Sequence, residues 1–200
     1  MQKARLISLG AGLIAAAPLA QAGGTVVNKT DLYVGALGGF SAASGTATAF
    51  GVPEPWRSFS PIEIGVVAGL REYDQDMFFG LEADANVNLA GLSPNQVIKF
   101  SGETGNEHVR VLAGHQLGDV TLYLAGGLAA DQLVYFDAAN VTENKTFFGW
   151  TAGIGAEFAA TEKISLRIEA LHDETSGQFN DGYNGKWIEN TLRAGAAFHF

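Results

Sequence analysis

From residue 31 onward, apolar and polar residues alternate with period two, in segments of about ten residues separated by turn or loop chemistry. Eight such segments can be read: 31–42, 61–72, 76–88, 107–117, 119–131, 146–159, 163–173 and 188–200. Their connections alternate in length. They are long at 43–60, 89–106, 132–145 and 174–187, and short at 73–75, at Gly118 and at 160–162. Even-numbered strands with short turns at one end and long loops at the other are the layout of a closed barrel crossing a bilayer. The expected fold class is therefore all-β: an eight-stranded antiparallel transmembrane β-barrel.

The alternation also assigns the faces. One face carries Leu32, Val34, Ala36 and Phe40, then Ile62, Ile64, Val66 and Leu70, and continues through Leu122, Leu124 and Leu128 to Leu192, Phe198 and Phe200. The other carries glycine, small residues and charges of both signs, which is too polar to meet lipid. A soluble barrel with its apolar face inward also alternates. The loop asymmetry, the mixed charges on the glycine-rich face and the aromatic C-terminus argue against it. An eight-stranded interior has room only for its own side chains, so the glycines are expected to relieve crowding around long Arg and Glu side chains. Phe40, Trp150, Phe158, Trp187 and Phe198 suit interfacial aromatic girdles, while Trp56 and Phe59 belong to a loop.

Ahead of the barrel, Lys3 and Arg5 form a positive region, Leu6–Ala20 is almost wholly apolar, and Ala20-Gln21-Ala22 has the small-x-small form of a cleavage site. Residues 1–22 are expected to be a signal peptide and 23–200 the barrel domain. Without Lys3 and Arg5 the formal net charge moves from −9 to about −11, which argues against a nucleic-acid partner. There is no cysteine, so stability cannot come from disulfides. The longest later apolar run, Val120–Ala130, is too short for a membrane-spanning helix.

The inward face holds four arginines, Arg71, Arg110, Arg167 and Arg193, and five acids, Glu63, Glu82, Asp84, Glu157 and Glu169. Charges confined in a narrow lumen are tolerable as a hydrogen-bonded network. Such a network would fill and specify the barrel, or plug it against solutes, or gate it if pairs exchange partners. From their heights on the strands, Arg193 is expected to pair with Glu169 and Glu82, and Arg110 to sit nearer Asp84 and the outer end.

No catalytic, cofactor or metal site is read. His108 and the run His172-Asp173-Glu174 are placed at the outer rim, with no nucleophile at matched height, because Ser165 lies at the other end of its strand. The spacing of His108, His115, His172 and His199 matches no ligand set, and His115 and His199 fall in the periplasmic half. Gly126-Gly127 and Gly153-x-Gly155 open no helix, so a phosphate-binding reading is discarded.

Two stretches carry a family resemblance. Asn190–Phe200 resembles the last strand of bacterial outer-membrane barrels, in which a terminal aromatic, here Phe200, is recognised by the barrel assembly machinery. Gly149–Phe158 followed by Ser165–Glu169 resembles the sixth and seventh strands of opacity-protein and outer-membrane-protein-A-like barrels. The resemblance covers the chain from about residue 31. It does not extend to a periplasmic peptidoglycan-binding domain, so cell-wall tethering is not implied. It implies a bacterial outer-membrane location, membrane lipid as surroundings, and a non-enzymatic part in envelope integrity or surface interaction, with loops such as Gly51–Pro55 and Asn180–Gly185 free to meet an extracellular ligand. Lipid A-modifying enzymes share the fold; that function would require His108, His172, Asp173 and Glu174 to converge. A narrow channel would require a water path past the Arg/Glu network.

Overall fold

A computed structural model describes residues 29–49, 52–55, 62–89, 100–136, 142–179 and 184–200. The proposed signal peptide, Trp56, Phe59 and residues 180–183 lie outside them. The strands are β1 (Lys29–Ala49), a short β2 (Val52–Pro55), β3 (Ile62–Asp74), β4 (Met77–Asn88), β5 (Phe100–Leu117), β6 (Val120–Phe136), β7 (Thr142–Ala159), β8 (Ile164–Gln178) and β9 (Asn184–His199). Each long strand pairs antiparallel with its sequence neighbour, β2 folds back on the end of β1, and β1 also pairs with β9 from Tyr33↔His199 to Thr48↔Asn184. Eight strands thus close on themselves. No helix among the described residues is long and apolar enough to cross a membrane, and the strands do so instead.

The alternation fixes what each strand shows to either side. Val66, Phe79, Val111, Leu124, Leu128 and Ile154 are all more than 60 % exposed, which in this geometry means that they face lipid. Phe40, Trp150, Phe158 and Phe198 lie on the same outer face, as expected for girdle aromatics. Trp187 does not: it is fully buried in the lumen. Its register explains the difference, since Trp187, Glu189, Thr191 and Arg193 share one side of β9.

At the long-connection end the ladders run further than the hydrophobic pattern. β5 begins at Phe100 rather than at 107, β6 continues to Phe136, β8 continues to Gln178, and β9 begins at Asn184. Outward residues there include Glu107, Gln132, Glu174, Lys186 and Asn190. The backbone pairing continues beyond the apolar belt, where the outer face meets water. The short-turn end is tight. Gln75-Asp76 and Gly118-Asp119 are two-residue turns, with Gln75 and Gly118 at φ 56° and 66°. Thr161 Oγ1 accepts from the N–H groups of Lys163 and Ile164 at 3.2 and 2.9 Å and closes the third turn.

Lumen glycines make room chiefly for aromatic rings rather than for Arg and Glu. Tyr33 lies against Gly69, Phe78 against Gly114, Tyr123 against Gly155, and Phe147 against Gly177 and Gly185. The first three are direct cross-strand pairs. A Cβ at any of these positions would strike the ring, so glycine on one strand creates the slot for a large side chain on the next. Charged side chains use the same device at Gly39 beside Arg193 and Gly80 beside Arg71.

Leu124 has Ala113 and Ile154 as its ladder partners, well inside the lipid-facing belt, whereas Leu117 adjoins a turn. Leu124→Arg is expected to cost about 2–4 kcal/mol and Leu117→Arg about 0–1 kcal/mol in reversible unfolding from lipid vesicles. Equal costs at the two positions would contradict the facing assignment.

Candidate functional site

The lumen is built in layers, and strand stagger decides which charges meet. Nearest the short turns, Arg71 donates from Nη1 and Nη2 to both oxygens of Glu157 at 2.8 Å. Its guanidinium lies 4.5 Å from the Tyr33 ring centroid and 4.9 Å from that of Phe78. This ion pair and its flanking rings form a floor across the barrel. A planar guanidinium can do this because it is bidentate at its edge and stacks on its faces.

Above it sits a continuous network. Arg110 contacts Glu82, Asp84 at 3.0 Å and Glu169 at 2.8 Å. Arg167 reaches Glu82 at 2.6 Å and Glu169 at 3.5 Å, and its Nη2 donates to Tyr123 Oη at 2.7 Å. Arg193 binds Asp84 at 3.0 Å and Glu169 at 2.8 Å. Tyr33 Oη donates to Glu82 at 2.6 Å. Arg193 therefore meets Glu169 but not Glu82, whose cations are Arg110 and Arg167. The tilt of the strands raises Asp84 to the level of Arg193, 109 residues away. Glu63 is buried nearby, with Asn106 Nδ2 3.5 Å from its Oε2.

His108 is not a rim histidine. It is 2 % exposed, with Nδ1 2.8 Å from Asp84 and Nε2 3.4 Å from Asp173, which is itself buried. His172 and Glu174 lie on the other face of β8. His172 contacts Asn190 at 2.9 Å, and Glu174 pairs with Lys186 at 2.7 Å. Period two separates positions 172 and 174 from 173, so the four rim groups needed for lipid A chemistry are divided between two sides of the wall.

Further acids line the lumen. Counted together, Asp31, Glu63, Glu82, Asp84, Glu103, Asp131, Glu157, Glu169, Asp173 and Glu189 are buried, against Arg71, Arg110, Arg167, Arg193 and His108. The middle layer is balanced, and the excess lies in the upper lumen. Over it sits an apolar cap of Ala43, Leu133, Phe147, Phe179 and Trp187.

At the short-turn mouth a cavity of about 670 Å³ is lined by residues including Asp31, Tyr73, Asp119, Ser165 and His199. Ser165 Oγ lies 2.8 Å from His199 Nε2, and His199 Nδ1 lies 2.9 Å from Asp31. Sequence reading placed Ser165 and His199 at this end but did not join them. Asp31 arrives only through closure of β1 on β9. The arrangement has the order of a catalytic triad. Ser165 is in register with Ala159 and Ala197 on its two sides, and this pairing commits the local N–H groups that an oxyanion would need. The chain of hydrogen bonds ties the first strand to the last two.

A closed eight-stranded barrel with a lipid-facing apolar belt and a lumen filled by ion pairs and aromatic rings is a small integral outer-membrane barrel. The chain belongs to the outer membrane protein beta-barrel domain family, which it matches over residues 6–200. It is 28 % identical over 176 residues to the 25 kDa outer-membrane immunogenic protein of Brucella canis, covering 86 % of this chain and 77 % of that one. It is 29 % identical over 143 residues to the 22 kDa outer membrane protein of Rhizobium leguminosarum bv. viciae, covering 68 % and 64 %. Among solved structures it superposes on Ail, the attachment invasion locus protein of Yersinia pestis, with TM-score 0.51 at 14 % identity, covering 84 % of this chain and 98 % of that one, a likeness of fold. The protein resides in the bacterial outer membrane as an integral barrel.

Removing one member of the central network strands its partners. Arg193→Ala is expected to destabilise the barrel by about 3–5 kcal/mol, leaving Asp84 and Glu169 undercompensated. Lys186→Ala, which breaks an exposed pair, should change stability by about 0–1 kcal/mol. Urea titration of both variants in the same vesicles makes the comparison.

Proposed function

We propose that the protein is a plugged outer-membrane scaffold whose long connections present a surface to the environment, and that the lumen charges maintain the barrel rather than conduct. The observation that carries this reading is the continuous series of side chains across the lumen, from the Arg71–Glu157 floor through the network of Glu82, Asp84, Arg110, Arg167, Glu169 and Arg193 to the aromatic cap. Similarity to an outer-membrane immunogenic protein supports surface display. The lumen network then supplies rigidity, since pairs made across the barrel resist flattening of a thin sheet.

Two measurements test the reading. Purified protein in planar bilayers should give no unitary conductance, and a stable conductance that shifts in Glu82→Gln would favour a channel. In a deletion strain, a barrel in which residues 50–61, β2 included, and 90–99 are replaced by Gly/Ser linkers of the same length should restore detergent resistance but not surface binding or antibody recognition of intact cells. Full restoration of both would remove surface display from the reading.

Phe200 is proposed as an assembly signal. It is 75 % exposed on the lipid side, its N–H donates to Leu32 carbonyl oxygen at 3.0 Å, and its ring meets Phe198 edge-on. Phe200→Ala should lower the folded, heat-modifiable fraction in cells while leaving spontaneous refolding into vesicles unchanged. An equal loss in vesicles would make Phe200 a stability residue instead. Residues 1–22 fit as the export signal for the same route, and mass spectrometry of the mature N-terminus should begin at Gly23.

A further inference from the structure

The upper lumen gathers buried carboxyl groups with no arginine or lysine among the described residues beside them. Glu103, Asp131 and Glu189, from β5, β6 and β9, are at most 1 % exposed and place one carboxylate oxygen each within 4.8 Å of the others. Some of their lone pairs are used. Asn106 Nδ2 donates to Glu103 Oε1 at 3.1 Å, Trp187 Nε1 donates to Glu103 Oε2 at 3.1 Å, and Thr175 Oγ1 donates to Asp131 Oδ2.

A second observation is the set of oxygens left over. Among the described residues no donor reaches the buried Glu189 oxygens or Asp131 Oδ1 in good hydrogen-bond geometry, and the groups that face Glu189 are the Ser41 hydroxyl and the Glu103 carboxyl. Buried carboxylate oxygens without donors are strongly unfavourable unless a cation or a proton meets them. The closest basic side chains are committed elsewhere. His108 serves Asp84 and Asp173, and Arg193 serves Asp84 and Glu169.

We propose that Glu103, Asp131 and Glu189 bind a calcium ion in the upper lumen. The donors are all hard oxygens, and no thiolate or imidazole is among them, which excludes a site built for zinc or copper. Calcium accepts six to eight oxygens at about 2.3–2.6 Å in flexible geometry. Oxygens that share one such ion must lie within twice that distance of one another, about 4.6–5.2 Å, and the three carboxylate oxygens meet this bound. Magnesium holds its waters and demands a stricter octahedron, so an irregular, largely dehydrated carboxylate set suits it less. Bound calcium would join β9 to β5 and β6 across the barrel just beneath the apolar cap, stiffening the end that carries the long connections.

The site contains its own reporter, because Trp187 touches Glu103. Protein purified from outer membranes in detergent is stripped with chelator and titrated with terbium as the calcium probe. Tryptophan-sensitised terbium emission should appear, be displaced by calcium, and be lost in Glu189→Gln and in Asp131→Asn. Trp187→Phe should lose the emission yet keep a thermal unfolding midpoint that rises with calcium. The wild-type midpoint should rise with calcium over chelator, a reading that needs no variant to fold. A wild-type midpoint indifferent to calcium would overturn the proposal and leave shared protons on the carboxyls. Emission that survives in both carboxylate variants would also overturn it, placing the ion elsewhere, for example at the acidic short-turn mouth.

Discussion

Everything in this molecule depends on closing the backbone ladder. Hydrocarbon offers no partner to a free N–H or carbonyl, so a sheet that enters a bilayer must leave no edge. Here the closure is long, with β1 and β9 in register from Tyr33↔His199 to Thr48↔Asn184. The Asp31–His199–Ser165 chain reinforces it with side chains at the short-turn mouth. Once closed with eight strands, the interior has a fixed and small cross-section. Each inward residue is then answerable to its neighbours across the lumen as well as along the strand.

That cross-section accounts for two features that look unrelated in the sequence. The first is the abundance of glycine on the inner face, which opens slots for Tyr33, Phe78, Tyr123 and Phe147. The second is the concentration of arginine in the middle layer. A guanidinium can bind two carboxylates at once while presenting flat faces to rings; Arg167 does both, and Arg71 grips the one carboxylate of Glu157 with both Nη atoms between the rings of Tyr33 and Phe78. Lysine would supply the charge without the plane. Ion pairs of this kind are weak evidence for net stability against an apolar interior, but they specify register. A one-residue slip of β9 would turn Arg193 out to lipid and leave Asp84 and Glu169 without one of their cations.

The fold was legible because its strongest signal, period two with alternating connection lengths, is the same physics that the structure obeys. Leu124 outward and Arg110 inward follow from parity alone. Legibility failed where the signal was hydrophobicity rather than pairing. Past the apolar belt, outward Gln132 and Lys186 no longer mark a strand, so the ladder ends were missed. Asp131, Asp173 and Glu189 share parity with Gly127, Glu169 and Arg193, and consistent counting would have placed them inside. The same count would have moved Trp187 from the girdle to the lumen. Which charges meet was a harder matter: Arg193 and Asp84 are joined by strand stagger, a property of barrel geometry that no local window contains.

The distribution of charge along the barrel axis carries the last step. In the middle layer, arginine and carboxylate are interleaved, and Asp84 is bound from three sides by His108, Arg110 and Arg193. Above that level no arginine is found among the buried residues, although Glu63, Glu103, Asp131, Asp173 and Glu189 remain. If the interior charges served only to fill space, threonine or asparagine would do so at lower desolvation cost, as Thr151, Thr175 and Asn106 already do nearby. Of the acids above that level, Asp173 has His108, whereas Glu103, Asp131 and Glu189 have no arginine or lysine beside them and need a cation or a proton between them, a need that the proposed calcium would meet. With calcium bound, the axial asymmetry would have a mechanical meaning: the lower half would be held by covalently attached cations, and the upper half by one that can be exchanged.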